Sequence, residues 1–197
     1  MYKRQGNAFL DYDDHFGELS DVGVSYLTRI GPSQFFFTAD DDGGFEIGTS
    51  YQRPIGNKDY RFSTRFRESE LIADDGVTVF DSSGLGFVSE FTFGSTVFDL
   101  GLGFEKLESD QATGDRVYAS FGASRKWGVL TGSAEAHFGE IEGQSESAYA
   151  LGLRYDIARG LSLNLGVNYS DAQVELGGIQ ILNDSGTSGT LSLRYSF

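Results

Sequence analysis

The sequence predicts an all-β fold, and more narrowly an antiparallel transmembrane β-barrel of about eleven strands. Apolar and polar residues alternate with period two along most of the 197 residues, which is typical of strands with one apolar face. The chain has 17 Phe, 10 Tyr, 27 Gly and only 2 Pro. This composition favours many strands joined by glycine-containing turns and argues against disorder.

Charge and composition exclude several other classes of protein. The net charge of -14 disfavours binding to nucleic acid, whose phosphates would be repelled. The chain has no cysteine, which removes disulfides, thiolate metal sites and thiol nucleophiles. No apolar run reaches about 18 residues, so the sequence predicts no transmembrane helix.

The alternation places the strands in order along the chain. The first three are expected at about residues 22–30, 34–39 and 44–52, and the last at 190–197. Seven more alternating segments lie between them, at residues 60–66, 85–93, 98–105, 116–123, 130–138, 148–157 and 161–169. Short turns are expected to alternate with longer polar loops, and the long set comprises residues 68–83, 108–114, 140–147 and 171–189.

The two faces of these strands differ in chemistry. One face carries no ionisable group except tyrosine, and several strands place two aromatic rings on it six residues apart, as Phe98 and Phe104 do. Such rings are typical of the interfacial girdles of membrane barrels. A soluble barrel or sandwich would alternate as well, with its apolar face inward. We expect the apolar face to contact lipid and the charged face to line an aqueous lumen.

The C-terminal sequence GTLSLRYSF carries a more specific resemblance. Leu191, Leu193, Tyr195 and Phe197 share the lipid side, and the chain stops on phenylalanine. This ending resembles the signal by which the assembly machinery recognises outer-membrane barrels of Gram-negative bacteria, although Ser192 stands where glycine is usual. Residues 6–197 resemble the C-terminal part of a general diffusion porin of the alphaproteobacterial type.

The resemblance implies a barrel of roughly sixteen strands whose N-terminal strands are missing from this chain, since eleven follow the constriction loop in those porins. Residues 1–5 are interpreted as a non-native leader, residues 6–19 as the tail of the pore-constricting loop, and residues 20–197 as barrel strands. The implied function is passive diffusion of small hydrophilic solutes and ions, with no enzymatic activity. The implied surroundings are outer-membrane lipid and lipopolysaccharide, and the parent protein is expected to be a homotrimer.

Parity and the resemblance together give the expected lumen residues. In the resembled family, inward arginines face carboxylates of the constriction loop across the pore. The basic residues expected to line the pore are Arg61, Arg65, Arg67, Arg116, Arg154 and Arg194. The acidic residues expected on the constriction loop are Asp11, Asp13, Asp14 and Glu18. The acidic residues expected on the pore wall are Glu90, Asp99, Glu105 and Glu135.

Other functions find weaker support in the sequence. Ser133, Glu135 and His137 share a face, but a third orienting group for a hydrolase is not evident. With His15 as the only other histidine, a metal site built from several histidines is not expected, and no cofactor is predicted. Loop carboxylates could share calcium, although solvated loop charge explains them as well. The main alternative is a complete smaller barrel that serves as a structural anchor or adhesin.

Overall fold

The computed structural model describes residue 19, residues 22–56 and residues 58–195, and within this part the chain forms one antiparallel sheet of eleven strands. Each strand pairs with the next in sequence, as in a barrel wall built from consecutive hairpins. The strands are β1 (Gly23–Ile30), β2 (Ser33–Asp40), β3 (Phe45–Ile55), β4 (Lys58–Ile72), β5 (Val79–Phe93), β6 (Thr96–Glu108), β7 (Thr113–Trp127), β8 (Leu130–Ile141), β9 (Gln144–Ala158), β10 (Leu161–Leu176) and β11 (Ile179–Tyr195). The expected fold class and strand number are confirmed.

The described residues include no helix long and apolar enough to cross a membrane. Tight turns join β1 to β2, β3 to β4, β5 to β6, β7 to β8 and β9 to β10, and we call this side of the sheet the short-turn end. Gly31, Gly94 and Gly128 adopt positive φ there, which residues with a side chain rarely do. The other five connections lie at the opposite end.

The prediction of long polar loops is wrong, because the strands extend into these segments at the opposite end. Strands β4 and β5 extend to Ile72 and from Val79, which leaves a connection of six residues, and β8 and β9 are joined by Glu142 and Gly143 alone. The last strand likewise begins at Ile179, well before the expected residue 190. Period-two alternation continues through these segments with its polarity reversed, so they read as irregular polar loops in the sequence.

The apolar face of the central strand segments is the exposed face, as expected for a wall in contact with lipid. Leu151 is 64% exposed and Val167 is 54% exposed, whereas the inward Glu105 and Arg116 are 0% and 2% exposed. The outward residues from Leu161 to Tyr169 cover about 20 Å along the barrel axis, at about 3.3 Å per residue and a tilt near 40°. With the reach of the side chains this approaches the apolar band of roughly 25 Å that outer-membrane barrels present.

Aromatic rings mark both edges of this band of outward apolar side chains, which we call the belt and which on β10 runs from Leu161 to Tyr169. Toward the opposite end, Tyr149 contacts Phe138 edge-on at 5.6 Å between ring centroids and stacks on Tyr169 at 6.3 Å. Toward the short-turn end, Tyr60 packs against Phe91 with ring centroids 4.9 Å apart. These rows are the arrangement that the six-residue spacing of aromatics predicts.

Candidate functional site: the inward face of the sheet

The inward face of β3 and β4 carries an ion-paired group of arginines. Glu46 lies directly opposite Arg67 in the register of the two strands. Arg67 donates from Nε and Nη2 to Glu46 Oε2 at 3.0 and 2.6 Å, and Arg65 Nη1 lies 3.6 Å from the same oxygen. Two arginines therefore share one carboxylate of their own wall. Arg61, on the same face of β4, lies opposite Glu90 of β5.

A buried polar network crosses the neighbouring strands on the same face. Arg116 of β7 donates from Nη1 to Glu105 Oε2 of β6 at 3.0 Å and from Nε to Glu146 Oε1 of β9 at 2.8 Å. Glu105 also accepts a hydrogen bond of 2.6 Å from Ser82 Oγ of β5. Burial of a charge is costly unless the charge is paired and hydrogen-bonded. These contacts therefore allow the three ionic groups to be buried together.

His137 extends the network from β8. Its Nδ1 lies 3.1 Å from Ser120 Oγ of β7, and its Nε2 lies 3.0 Å from Glu146 Oε1. Serine, histidine and carboxylate thus stand in the order of a hydrolase triad. All three are nevertheless buried, and Glu146 is shared with Arg116. A nucleophile has to be reached by substrate, so we interpret the row as structural. The serine that His137 contacts is Ser120 on the neighbouring strand β7, and not Ser133 on its own strand as the sequence suggests.

Tyr118 completes the network and fits against a glycine. The Arg116 guanidinium lies 4.6 Å from the centroid of the Tyr118 ring, a cation–π contact. A Cβ at Gly103, on the adjacent strand β6, would lie 2.1 Å from the Tyr118 ring. Only glycine leaves room for this ring, so the wall is thin at Gly103 beside a bulky aromatic side chain.

The remaining residues expected on the pore wall occupy two environments. Asp99 and Glu135 are buried on the inward face. Arg154 is exposed near the short-turn end, where it donates from Nε to Asp156 Oδ1 at 2.8 Å. Arg194 is half-buried on β11. The position of these side chains agrees with their parity, but their contribution to a conduction pathway stays a prediction.

Some of the expected site residues lie outside the described part of the chain. These are the loop carboxylates Asp11, Asp13, Asp14 and Glu18, together with the terminal Phe197 of the expected assembly signal. The other three members of that signal, Leu191, Leu193 and Tyr195, point outward and are 61% to 69% exposed. The opposition of basic and acidic residues across a pore is therefore untested by the structure.

An apolar cluster fills the inside of the sheet at the opposite end. Its members, which we call the apolar cluster throughout, are Ala73, Phe80, Leu107, Ile141, Val174, Leu176 and Ile181. Inward positions that are polar in the belt become apolar here: Phe80 continues the parity of Glu90, and Leu107 continues that of Glu105. A β-bulge in β11 leaves Ile181 without a partner across β10 and buries its side chain.

The outward face at this end becomes polar in turn. The exposed acidic residues on it are Glu68, Glu70, Asp81, Glu108, Asp115, Glu140, Asp171 and Glu175. The strands are therefore apolar outside and polar inside in the belt, and apolar inside and polar outside beyond it. This second polarity is that of a soluble β-sheet protein, which indicates that the opposite end stands in water.

Sequence reasoning missed Glu146 and Ser120 as members of the inward network. Parity places Ser120 on the charged face with Arg116 and Tyr118. Glu146 fell in an expected loop, although it continues the series Ala148, Ala150, Gly152 on that face. Their contacts could not be read from parity. Arg116 and Glu146 are separated by the whole of β8, and their pairing depends on the register and curvature of three strands.

Comparison with known proteins gives matches at the level of structure. No family model matches the chain, and no curated protein matches it. Among solved structures, the trimer form of OmpT, an outer membrane protein of Vibrio cholerae, superposes with a TM-score of 0.64 at 13% identity, covering 88% of this chain and 64% of that one. A porin refined at 1.8 Å resolution gives 0.63 at 16% identity, covering 89% of this chain and 61% of that one.

A third match is the anion-selective porin of Comamonas acidovorans, with a TM-score of 0.62 at 16% identity, covering 88% of this chain and 58% of that one. This chain spans less than two thirds of the length of these three proteins. The chain therefore has the fold of outer-membrane porin-type β-barrels, and the expected resemblance to porins is confirmed for the fold. The sixteen-stranded parent barrel remains a prediction.

Proposed function

We propose that this protein is part of a porin-type channel of the Gram-negative outer membrane, through which small hydrophilic solutes and ions diffuse passively. The observation that carries the proposal is the polarity of the belt, where apolar side chains point outward and ionisable ones point inward. Lipid is the environment that makes such an outward face favourable, and an enclosed polar space suits the inward one. The porin fold supports the same assignment.

The proposed surroundings follow from this assignment. Lipid acyl chains contact the belt, and lipopolysaccharide is proposed to contact the polar outward face of the opposite end. Trimeric assembly of the whole protein is proposed by analogy with the trimer form of Vibrio cholerae OmpT. The channel acts without covalent chemistry, and selection among solutes is proposed to depend on the charges of the wall. The β4 arginines are proposed to face the carboxylates Asp11, Asp13, Asp14 and Glu18 across the pore.

The membrane position of the belt can be tested with the single tryptophan of the chain. Trp127 is 52% exposed at the short-turn edge of the belt, and the chain has no other tryptophan. We expect lipids brominated along the acyl chain to quench its fluorescence after reconstitution, with stronger quenching by bromine near the headgroup than near the bilayer centre. Fluorescence that is insensitive to brominated lipid would refute the lipid-facing belt.

Conduction is tested separately, by reconstituting the chain in liposomes and measuring sugar efflux. A matched control is the same preparation heated to unfold the barrel before reconstitution. Efflux through the folded chain supports the channel. A second candidate function is an impermeable membrane anchor or adhesin, which the apolar cluster inside the sheet favours. An intact barrel that inserts into lipid and passes no sugar, even after side chains of the apolar cluster are shortened, would support the anchor over the channel.

A further inference from the structure

We propose that the apolar cluster is a plug that closes the lumen at the opposite end, so that the channel has a shut conformation built from its own wall. The inference rests on the proposed function, because a plug has meaning only if the inward face encloses a lumen. It concerns side chains of the barrel strands and is independent of the constriction loop expected at residues 6–19.

The first argument is the distance that the cluster bridges. Phe80 lies on β5 and Val174 on β10, five strands apart along the sheet. Neighbouring strands are about 4.8 Å apart, so in a flat sheet these two positions would be separated by about 24 Å. Both side chains are 0% exposed in one cluster. The sheet must therefore curl until opposite walls meet, and their side chains occupy the space between them.

The second argument is a backbone contact between distant hairpins. The Asp74 amide, in the connection after β4, donates to the Gln180 carbonyl of β11 at 3.1 Å. The connection that follows β4 thus touches β11 at this end, although six strands lie between β4 and β11 in the sheet. The two walls therefore meet here.

The third argument is the close packing of the hairpin tips over the cluster. A Cβ at Gly114 of β7 would lie 2.7 Å from Leu176 Cδ2 of β10, so these two strands meet without space for a methyl group. Gln144 at the start of β9 donates from Nε2 to the Glu175 carbonyl at 2.7 Å and accepts from the Glu175 amide at 2.8 Å. The Gln144 contacts join β10 to its neighbour β9. The turn of the β10–β11 hairpin reaches across to the connection between β6 and β7, where a Cβ at Gly177 would lie 2.7 Å from Ala112 Cβ.

The fourth argument is the layer beneath the cluster. Glu105 and Glu146 are buried one inward position nearer the belt than Leu107 and Ile141, and Arg116 is buried level with Ile141 in the β7–β8 register. Their burial shows that other side chains cover these paired charges at this height. An apolar constriction above a paired ionic layer blocks hydrated ions, because an ion must shed its water to pass an apolar gap.

The absence of cysteine from the chain makes a direct test of water access practical. We would introduce single cysteines at Leu107, which is fully buried in the cluster, and at the adjacent Glu108, whose side chain is 51% exposed. The folded protein in detergent micelles is then treated with a charged, water-soluble maleimide, which reaches both ends of the barrel. We expect Leu107→Cys to react at least roughly tenfold more slowly than Glu108→Cys, because reaction requires local opening.

A second pair guards against a variant that does not fold. Val174→Cys on β10 is the buried position, and Gln173→Cys is its exposed neighbour. Folding of each variant is checked by heat-dependent mobility in gel electrophoresis. Equal labelling rates at the buried and exposed positions in both pairs would overturn the plug, whatever the protein conducts.

Efflux measurements separate failure of the plug from failure of the channel. The variant Phe80→Ala/Leu176→Ala removes side-chain volume from the plug, and Leu165→Ala on the lipid face serves as its matched control. We expect sugar efflux to rise only in the plug variant. If the cysteines are protected but no variant conducts, the plug stands and the channel proposal fails. If the unaltered chain conducts as fast as the plug variant, the plug is refuted and the channel stands.

Discussion

Removal of Arg116 should destabilise the protein more than removal of any exposed arginine. The guanidinium is 2% exposed and is the cation that the two buried carboxylates Glu105 and Glu146 share. Breaking a buried ion pair from one side leaves an uncompensated charge and costs about 3 to 5 kcal/mol. We therefore expect Arg116→Met to lower the free energy of unfolding by about that amount, with a side chain of similar length filling part of the space.

The matched control is Arg154→Met, since Arg154 is 44% exposed and also pairs with a carboxylate, that of Asp156. Exposed ion pairs are worth about 0 to 1 kcal/mol, so this variant should unfold almost as the unaltered protein does. The assay is guanidinium-induced unfolding in detergent micelles, followed by the fluorescence of Trp127. Neutralising both partners together with the arginine, in Arg116→Met/Glu105→Gln/Glu146→Gln, should recover most of the lost stability.

The reasoning would be refuted by either of two results. If Arg116→Met and Arg154→Met unfold at the same denaturant concentration, the network around Arg116 is hydrated and the burial of its charges does not govern stability. If the triple variant is as unstable as Arg116→Met alone, the loss comes from packing of the arginine stem and the Tyr118 ring, because no unpaired charge remains to explain it.

Three further predictions concern other parts of the wall. Phe80→Ala should lower the unfolding free energy by about 3 to 5 kcal/mol through the cavity it leaves, and the lipid-facing Phe87→Ala should cost clearly less in the same denaturation assay. Leu102→Arg, in the middle of the belt, should lower the unfolding free energy by about 2 to 4 kcal/mol, and Thr96→Arg, at the edge of the belt, by about 0 to 1 kcal/mol. Unfolding from lipid vesicles measures both values, and equal losses would contradict the assigned belt. Glu142 adopts a φ of 48° in a two-residue turn, a conformation that asparagine tolerates better than glutamate. Glu142→Asn should therefore raise the denaturant concentration at the unfolding midpoint by an amount equivalent to about 0.5 to 1 kcal/mol. A lower midpoint would show that contacts of the Glu142 side chain matter more than its backbone conformation.

The sequence was sufficient to predict the strands of the belt because each one is a continuous alternation with a single sense. Leu161, Leu163 and Leu165 against Ser162 and Asn164 leave only one choice of outward face. Two strands that are adjacent in sequence also pair in the sheet, so the order β1 to β11 followed from hairpin logic alone.

The ends of the strands were not predictable in the same way. Phe80 points inward and Asp81 outward, which is the reverse of the pattern in Glu90 and Phe91 of the same strand. If each strand is assumed to keep one apolar face along its whole length, the end of β5 shows no such face, and the segment is predicted to be a loop. The inward contacts of Arg116 were hidden for a different reason, because they depend on curvature that brings side chains two strands apart within hydrogen-bonding distance.

The reversal of polarity along single strands determines how deep the protein sits in its bilayer. Moving the barrel inward by two residues would bring Glu140 and Asp171 among acyl chains, and moving it outward would expose the rings of Phe138 and Tyr149 to water. Either displacement is opposed from the first few ångströms, so a membrane of unsuitable thickness has to adapt around the protein by thinning or thickening locally. The height of the belt thus sets the hydrocarbon thickness next to the protein, and we expect lipids with acyl chains of matching length to be enriched around it.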